Sequence, residues 1–273
     1  MTTPDTTHAR LGTRALTLGY RGAPVIRDLD LDLLDGAVTA IVGPNACGKS
    51  TLLRGLARLL APTSGQVLLD GQDIHRLPTR DVARRLGLLP QSSIAPDGIS
   101  VADLVARGRH PYQGLLRQWS ADDERAVVDA MAATGVEGLS HRLVDELSGG
   151  QRQRVWVAMA LAQETSLMLL DEPTTFLDIA HQIELLDLFV DLNRTRGRGV
   201  VAVLHDLNHA CRFADQIVAM RDGAVVAQGF PADVVTAELV ERVYDLPCQV
   251  IDDPQTGTPL VIPRASPHRP RRR

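Results

Sequence analysis

Residues 37–43 read AVTAIVG, and residues 43–51 continue as GPNACGKST. A continuous apolar run closed by glycine is the pattern of a strand buried on both faces. The glycines at 43 and 48 free the backbone to curl with its N–H groups pointing inward. Lys49 and Ser50 then open what reads as a helix from Gly48 through Leu60. A buried strand, a glycine loop and a helix N-terminus in this order leave little choice of local fold, and together they cradle a phosphate. Lys49 brings positive charge to where β and γ phosphates would lie, and Ser50 offers a hydroxyl suited to Mg²⁺. Gly43, Pro44, Asn45, Ala46, Cys47, Gly48, Lys49, Ser50 and Thr51 are therefore the first candidate binding residues; the Cys47 thiol reads as incidental, with modification as the alternative.

The flanking sequence supplies the setting such a loop needs. Residues 29–36, LDLDLLDG, alternate strictly, with Leu29, Leu31 and Leu33 on one face of a half-buried strand. Short strands are predicted at 65–71, 86–90, 167–170 and 200–204, with an amphipathic helix at about 180–195 between the last two. Strands alternating with helices predict an α/β fold around a largely parallel sheet. A mostly helical stretch from about 100 to 163 interrupts the alternation and reads as an inserted subdomain. Aromatic residues are only 3% of the chain, so the core must be built from Leu, Val, Ile and Ala.

Asp171 and Glu172 end the buried run LMLL. An acid at the end of a strand facing a phosphate loop can hold Mg²⁺ through water, and the next acid can polarise an attacking water. Gln91 after LLP, His205 after VVAVL and Tyr20 in LTLGYRG each have an ordinary structural reading when taken alone. Residues 147–154, LSGGQRQR, start a second helix with serine and glycines, again a phosphate-friendly N-terminus, but without a lysine. Val155, Ala158, Met159 and Ala162 follow at helical spacing and fix that helix to the core.

Read as a set, Tyr20, the P-loop, LPQ, LSGGQ, LMLLDEP, FLD and VLHD resemble the ATP-binding-cassette (ABC) family in order and spacing over residues 10–260. TFLD at 175–178 departs from the commoner SALD but keeps Leu177 and Asp178. The resemblance implies a P-loop ABC nucleotide-binding domain: a RecA-like core, an N-terminal antiparallel β subdomain and an inserted α-helical signature subdomain. It implies a single domain over 10–250 with the insertion at about 95–163, and a C-terminal extension at 251–264. It implies ATP and Mg²⁺ as cofactors. Tyr20 would stack on adenine; Ser50, Asp171 and Gln91 would serve the metal; Glu172 and His205 would act in catalysis; and Asp178 would lie in a loop crossing a dimer interface. Ser148, Gly149, Gly150 and Gln151 would cover the ATP of a second subunit, which explains why one chain carries two phosphate-friendly helix starts. The implied unit is a head-to-tail homodimer.

Residues 101–114, 174–188, 203–215 and 244–263 further resemble importers of ferric siderophores, haem and cobalamin, and the last stretch most resembles ferric enterobactin-type importers. That ending also reads as a strand hairpin turning at PQTG. The expected partners are membrane permease subunits and, indirectly, a substrate-binding protein, with the chain peripheral on the cytoplasmic face of the membrane. Haem or cobalamin import and a soluble, non-transport ABC ATPase are the alternatives. The resemblance also implies a permease-docking surface in the helical insertion after Gln91. Arg107, Arg109, His110, Tyr112 and Gln113 belong to no ATP motif and are the expected residues, Tyr and Arg being common interface anchors, with a solvated loop and proline turn as the alternative.

Composition excludes several other classes. The net charge of −4 gives no drive toward nucleic acid. No apolar run approaches the roughly 18–20 residues that span a bilayer, and the N-terminus has no apolar signal core. Three scattered cysteines without a CxxC suggest neither a disulfide framework nor a zinc site. Residues 1–9 and 265–273 lack periodicity and are expected to be disordered.

Overall fold

A computed structural model describes residues 9–91, 95–114, 119–175 and 177–264; the expected disordered ends, apart from Ala9, lie outside them. The chain opens with β1 (Leu11–Tyr20), β2 (Ala23–Leu33), β3 (Val38–Val42), α1 (Lys49–Leu56), β4 (Ser64–Leu69) and β5 (Gln72–Asp73). Then come α2 (Thr79–Arg85), β6 (Leu86–Leu89) and the helices α3 (Val101–Ala106), α4 (Ala121–Ala133) and α5 (Gly149–Ala162). The chain returns through β7 (Leu167–Asp171), α6 (Ile179–Arg196), β8 (Gly199–Val203), α7 (Leu207–Phe213), β9 (Gln216–Arg221) and β10 (Ala224–Gly229). It ends with α8 (Pro231–Val234), α9 (Ala237–Tyr244), β11 (Cys248–Asp252) and β12 (Pro259–Pro263).

The larger sheet has the order β10-β9-β3-β8-β7-β6. Its strands from β9 to β6 pair in parallel, and β10 closes one edge antiparallel to β9. Period-2 geometry sends alternate side chains to opposite faces. Ile41, Leu169, Val201 and Val203 meet Leu52, Leu53 and Leu56 of α1 and Leu16, Leu18 and Ile26 of the smaller sheet. Ala40, Val42, Met168, Leu170, Val200 and Ala202 face the other way, toward Val155, Val157, Leu161 and Phe189 of the helices. The smaller sheet is antiparallel, in the order β2-β1-β4-β5, so α1 lies between two sheets. Mixed α/β layers with an antiparallel subdomain and an aliphatic core agree with the sequence expectation, and the signature-helix residues Val155, Ala158 and Ala162 are buried with Met159 partly so.

Two local differences have physical reasons. First, α1 stops at Leu56 rather than Leu60. Arg58 adopts φ 61°, and the Leu59 and Leu60 N–H groups turn back to the Arg54 carbonyl, ending the helix in a left-handed cap. The Arg58 guanidinium offsets that backbone cost by donating to the Leu77 carbonyl at 2.9 Å. Second, the sheet continues beyond the strands expected from the sequence, because β9 and β10 follow VVAVL as a hairpin turning at Asp222-Gly223. Asp-Gly between apolar runs is a hairpin signal the motif reading passed over. The hairpin β11–β12 forms as expected, with PQTG in its turn.

The docking expectation for residues 107–113 needs correction. The segment Arg107–Tyr112 is a 3₁₀ helix, and Arg109 within it is only 3% exposed. Its Nε donates to Asp123 Oδ1 and its Nη1 to both the Ala162 carbonyl and Glu164 Oε2, each at 2.8 Å. The guanidinium also lies 4.1 Å from the centre of the Tyr112 ring, and the Tyr112 hydroxyl donates to the Gln163 carbonyl at 2.9 Å. Arg109 and Tyr112 therefore fasten this turn to α4 and to the end of α5. Arg107 and His110 stay exposed and Gln113 is half-buried. Sequence charge suggested surface here because the neutralising carboxylate, Asp123, comes from a different helix.

Burial alone would raise the Asp123 carboxyl, but hydrogen bonds from Arg109 and Ser120 outweigh it and hold the group below its ordinary 3.8. A depressed carboxylate stabilises the fold above the ordinary value, and that contribution fades as pH falls through the folded one. Arg109→Ala is expected to destabilise the chain by about 3–5 kcal/mol, because it strands a buried charge. Calorimetric melting should show this as a lower midpoint at neutral pH, with the gap to wild type narrowing as pH falls toward and below 3.8.

Candidate functional site

The parallel strands bring the sequence-predicted residues to one edge of the large sheet. Gly43 leaves the end of β3, Asp171 closes β7 with Glu172 next, and Gln91 and His205 lie two residues beyond the ends of β6 and β8. Ligands of open parallel sheets bind outside these carboxyl ends.

Backbone sterics shape the phosphate loop. Gly43 has φ 151°, and a Cβ there would lie 2.2 Å from the Met220 carbonyl oxygen. Gly48 has φ 109° and caps α1 with no side chain, and the first turn holds no acid. The start of α1 is thus left without a side-chain cap or an acid of its own turn, a setting that favours an anion. Lys49 is buried, its Nζ donating to the Gly43 and Pro44 carbonyls at 2.8 and 2.9 Å. The cavity, about 300 Å³, is lined by Val25, Asn45, Ala46, Gly48, Lys49, Ser50, Thr51, Glu172 and His205. Burial raises the Cys47 thiol despite the lowering effect of Lys49, which disfavours the thiolate.

A second cluster completes the cavity wall. Ser50 Oγ donates to Asp171 Oδ1 at 2.9 Å. Gln91 Nε2 donates to Glu172 Oε2 at 2.7 Å, and His205 Nε2 lies 2.7 Å from Glu172 Oε1. The Thr175 hydroxyl adds a longer contact of 3.4 Å to Oε2, a partner sequence reading missed. An ionised carboxylate accepts at about four lone-pair positions, so these donors leave room for a water on Glu172. Burial raises the Asp171 carboxyl; the Ser50 bond pulls it down, and the neighbouring Glu172 charge pushes it up again. A buried acid beside a second acid and a hydroxyl is an electrostatic setting that a divalent cation completes. The residues present therefore fit a nucleotide phosphate with Mg²⁺.

The other expected residues lie apart from this cavity. Tyr20 ends β1 with 43% exposure, and its hydroxyl accepts from Arg54 Nη1 at 3.4 Å. Ser148 caps α5: its hydroxyl accepts from the Gln151 N–H, and the Gln151 side chain accepts from the Ser148 N–H, a closed capping box. The Ser148 oxygen is thus spent on its own helix, while Gly149 is exposed and Gly150 half-buried. A Cβ on Gly150 would sit 3.4 Å from Leu177 Cδ2, so the signature start touches the loop carrying Asp178. Asp178 caps α6 through the His181 N–H at 3.0 Å and pairs with the His181 ring at 2.7 Å.

A buried parallel sheet, a glycine loop opening an uncapped helix, and a Glu–His–Gln cluster define a P-loop nucleotide hydrolase with an inserted helical arm. The chain belongs to the ABC transporter family, which it matches over residues 26–175, and it is an ATP-binding, ATP-hydrolysing cassette. It is 57% identical to the ferric enterobactin transport ATP-binding protein of Escherichia coli (strain K12), over 93% of this chain and 94% of that protein. It is 54% identical to the achromobactin transport ATP-binding protein of Dickeya dadantii (strain 3937), over 92% and 93% of the two chains. A dimeric bacterial ABC transporter cassette superposes with a TM-score of 0.73 at 26% identity, covering 81% of this chain and 98% of that one.

The loop is also braced from behind by a glycine outside every motif. Gly223, in the β9–β10 turn, donates its N–H to the Cys47 carbonyl at 2.9 Å. Its φ is 79°, and a Cβ would lie 1.9 Å from the Val25 carbonyl oxygen. Gly223→Ala is expected to push the turn off the loop and weaken ATP binding by about tenfold or more, roughly 1.4 kcal/mol. Equilibrium titration with a fluorescent ATP analogue checks this; wild-type affinity would show that the brace is dispensable.

Proposed function

We propose that this chain is the ATPase subunit of an importer that carries iron(III)–siderophore complexes through separate permease subunits. The placement of Glu172 between Gln91 and His205, beside the uncapped start of α1, carries the catalytic part of this reading. Identity of 57% over nearly the whole chain to a ferric enterobactin transport subunit supports the cargo.

In this reading the first-turn N–H groups of α1 and the Lys49 ammonium hold the β and γ phosphates, Lys49 giving up its loop carbonyls to do so. Tyr20 offers its exposed ring to the adenine. Ser50, Asp171 and Gln91 hold Mg²⁺, which when bound neutralises phosphate charge. Glu172 takes a proton from the attacking water. His205 donates toward the γ-phosphate and Gln91 orients the water. The exposed start of α5, with Ser148 rigidified by its capping box, presents the Gly149 and Gly150 N–H groups to the ATP of a second copy. Asp178 lies beside it at the same interface. The dimeric cassette with a similar fold supports such pairing. Among the described residues no helix is long and apolar enough to cross a membrane. The chain then works peripherally, on the cytoplasmic side, with permease subunits and an external substrate-binding protein.

Glu172→Gln should keep ATP affinity and lose most hydrolysis, typically about 10²–10⁴-fold for a lost general base. Size-exclusion chromatography with ATP and Mg²⁺ should then show a trapped dimer; a monomer hydrolysing at the wild-type rate would refute the assignment. Lys49→Ala and Ser148→Arg should each be inactive alone, and in a mixed dimer one composite site at most should recover. Crosslinking of Ser148 to the P-loop within one chain only would rule out the shared site. For the cargo, membranes carrying the cognate permease and this chain should take up ⁵⁵Fe-siderophore in an ATP-dependent manner. Uptake of haem or cobalamin in its place would reassign the importer.

A further inference from the structure

Histidine 205 is held between two anchors, and only one of them belongs to the sheet. On one side the Leu204 N–H donates to the Ile41 carbonyl of β3 at 3.1 Å. On the other side the chain enters α7, whose first turn is capped by Asp206, accepting from the Asn208 and His209 N–H groups at 2.8 and 3.0 Å. α7 has only 7 residues. A helix so short has too few internal hydrogen bonds to hold its own position, so tertiary contacts must fix it.

The contact is specific. The Asn208 side-chain amide pairs with the backbone of Val261 in β12 at both ends: Oδ1 accepts from the Val261 N–H at 2.7 Å, and Nδ2 donates to its carbonyl at 3.3 Å. A two-point amide clamp sets rotation as well as distance. Val261 and Cys248 of the hairpin are buried in the same apolar cluster as Ala210 and Cys211 of α7. Side-chain packing does not do this work for His205 itself. Its ring is about half exposed, and a second cavity of about 270 Å³, lined by Thr174, Thr175, Gln182, Leu204, His205, Asp206 and His209, opens beside it.

We propose that the C-terminal hairpin β11–β12 sets the position of His205 against Glu172, through the clamp that Asn208 makes on Val261. Asn208 acts as a positioning residue, through α7. The inference rests on the role given to His205 above, but it concerns where the ring sits. It also makes the residues after β10 part of the catalytic fold, not an appendage to it.

The test uses the full-length chain with histidine-labelled NMR, the His205 ring signal being the one lost in His205→Ala. Asn208→Ala should shift or broaden that signal while the other histidines distant from α7, such as His75 and His110, stay unmoved. It should lower kcat about tenfold, the order expected for a sub-ångström misplacement, with KM for ATP within about twofold because the phosphate loop is untouched. The melting midpoint should stay near wild type. If Asn208→Ala fails to fold, Val261→Pro removes the N–H from the strand side and should move the same signal. An unmoved His205 signal, or a loss that appears in KM and not in kcat, overturns the inference. Wild-type kcat in His205→Ala would instead refute the role of His205, and the ring signal would still report whether the clamp positions it.

Discussion

The site depends on one constraint: the strands of the large sheet from β9 to β6 are parallel and packed on both faces. Parallel strands all point their carboxyl ends the same way, so loops leaving them collect at one edge. Neighbouring strands β3, β8, β7 and β6 therefore deliver the phosphate loop, His205, the Asp171–Glu172 pair and Gln91 side by side, although these residues are far apart in sequence. The burial that makes the strands read as uninterrupted apolar runs also makes the edge rigid. Both faces pack, one on α1 and the antiparallel sheet, the other on α5 and α6.

The two serine- and glycine-rich helix starts resolve into different devices once hydrogen bonds are followed. At α1 the cap is Gly48, which has no side chain, and the first turn of the helix carries no acid. At α5 the cap is a closed serine–glutamine box, which occupies the Ser148 and Gln151 N–H groups and sets the frame of the helix start. A lysine folded on the first loop and its absence from the second follow the same division. One end binds charge directly, while the other offers backbone donors from a fixed frame.

Charge burial runs through both halves of the molecule with opposite outcomes. Asp123 is buried yet held below its ordinary value because Arg109 and Ser120 bond to it, so it serves as a structural anchor. Asp171 is buried and raised, with Ser50 as its direct hydrogen-bond partner and Glu172 opposing it. An under-compensated acid of this kind at a cavity wall is a candidate functional group, whereas a fully compensated one is packing. The distinction separates two acids that composition treats alike.

Much of the site could be read from the chain alone, because its devices are local. Glycines that permit φ 151° and 109°, a lysine and serine at the following helix start, and acids closing an apolar strand need only short-range geometry, and each lies where its motif placed it. The aliphatic core and the alternation of Leu29, Leu31 and Leu33 were legible for the same reason, since side-chain periodicity is a property of the strand itself. What the sequence could not decide were pairings between distant segments. Arg109 looked like surface until Asp123 and Glu164 closed around it. Gly223 looked like an ordinary turn until its N–H met the Cys47 carbonyl, and Asn208 carried no signal until Val261 came to face it across 53 positions of chain. A residue's own chemistry sets which bonds it can make, and that is written in the sequence. Which partner it meets depends on how sheets and helices stack, and only the tertiary structure supplies that.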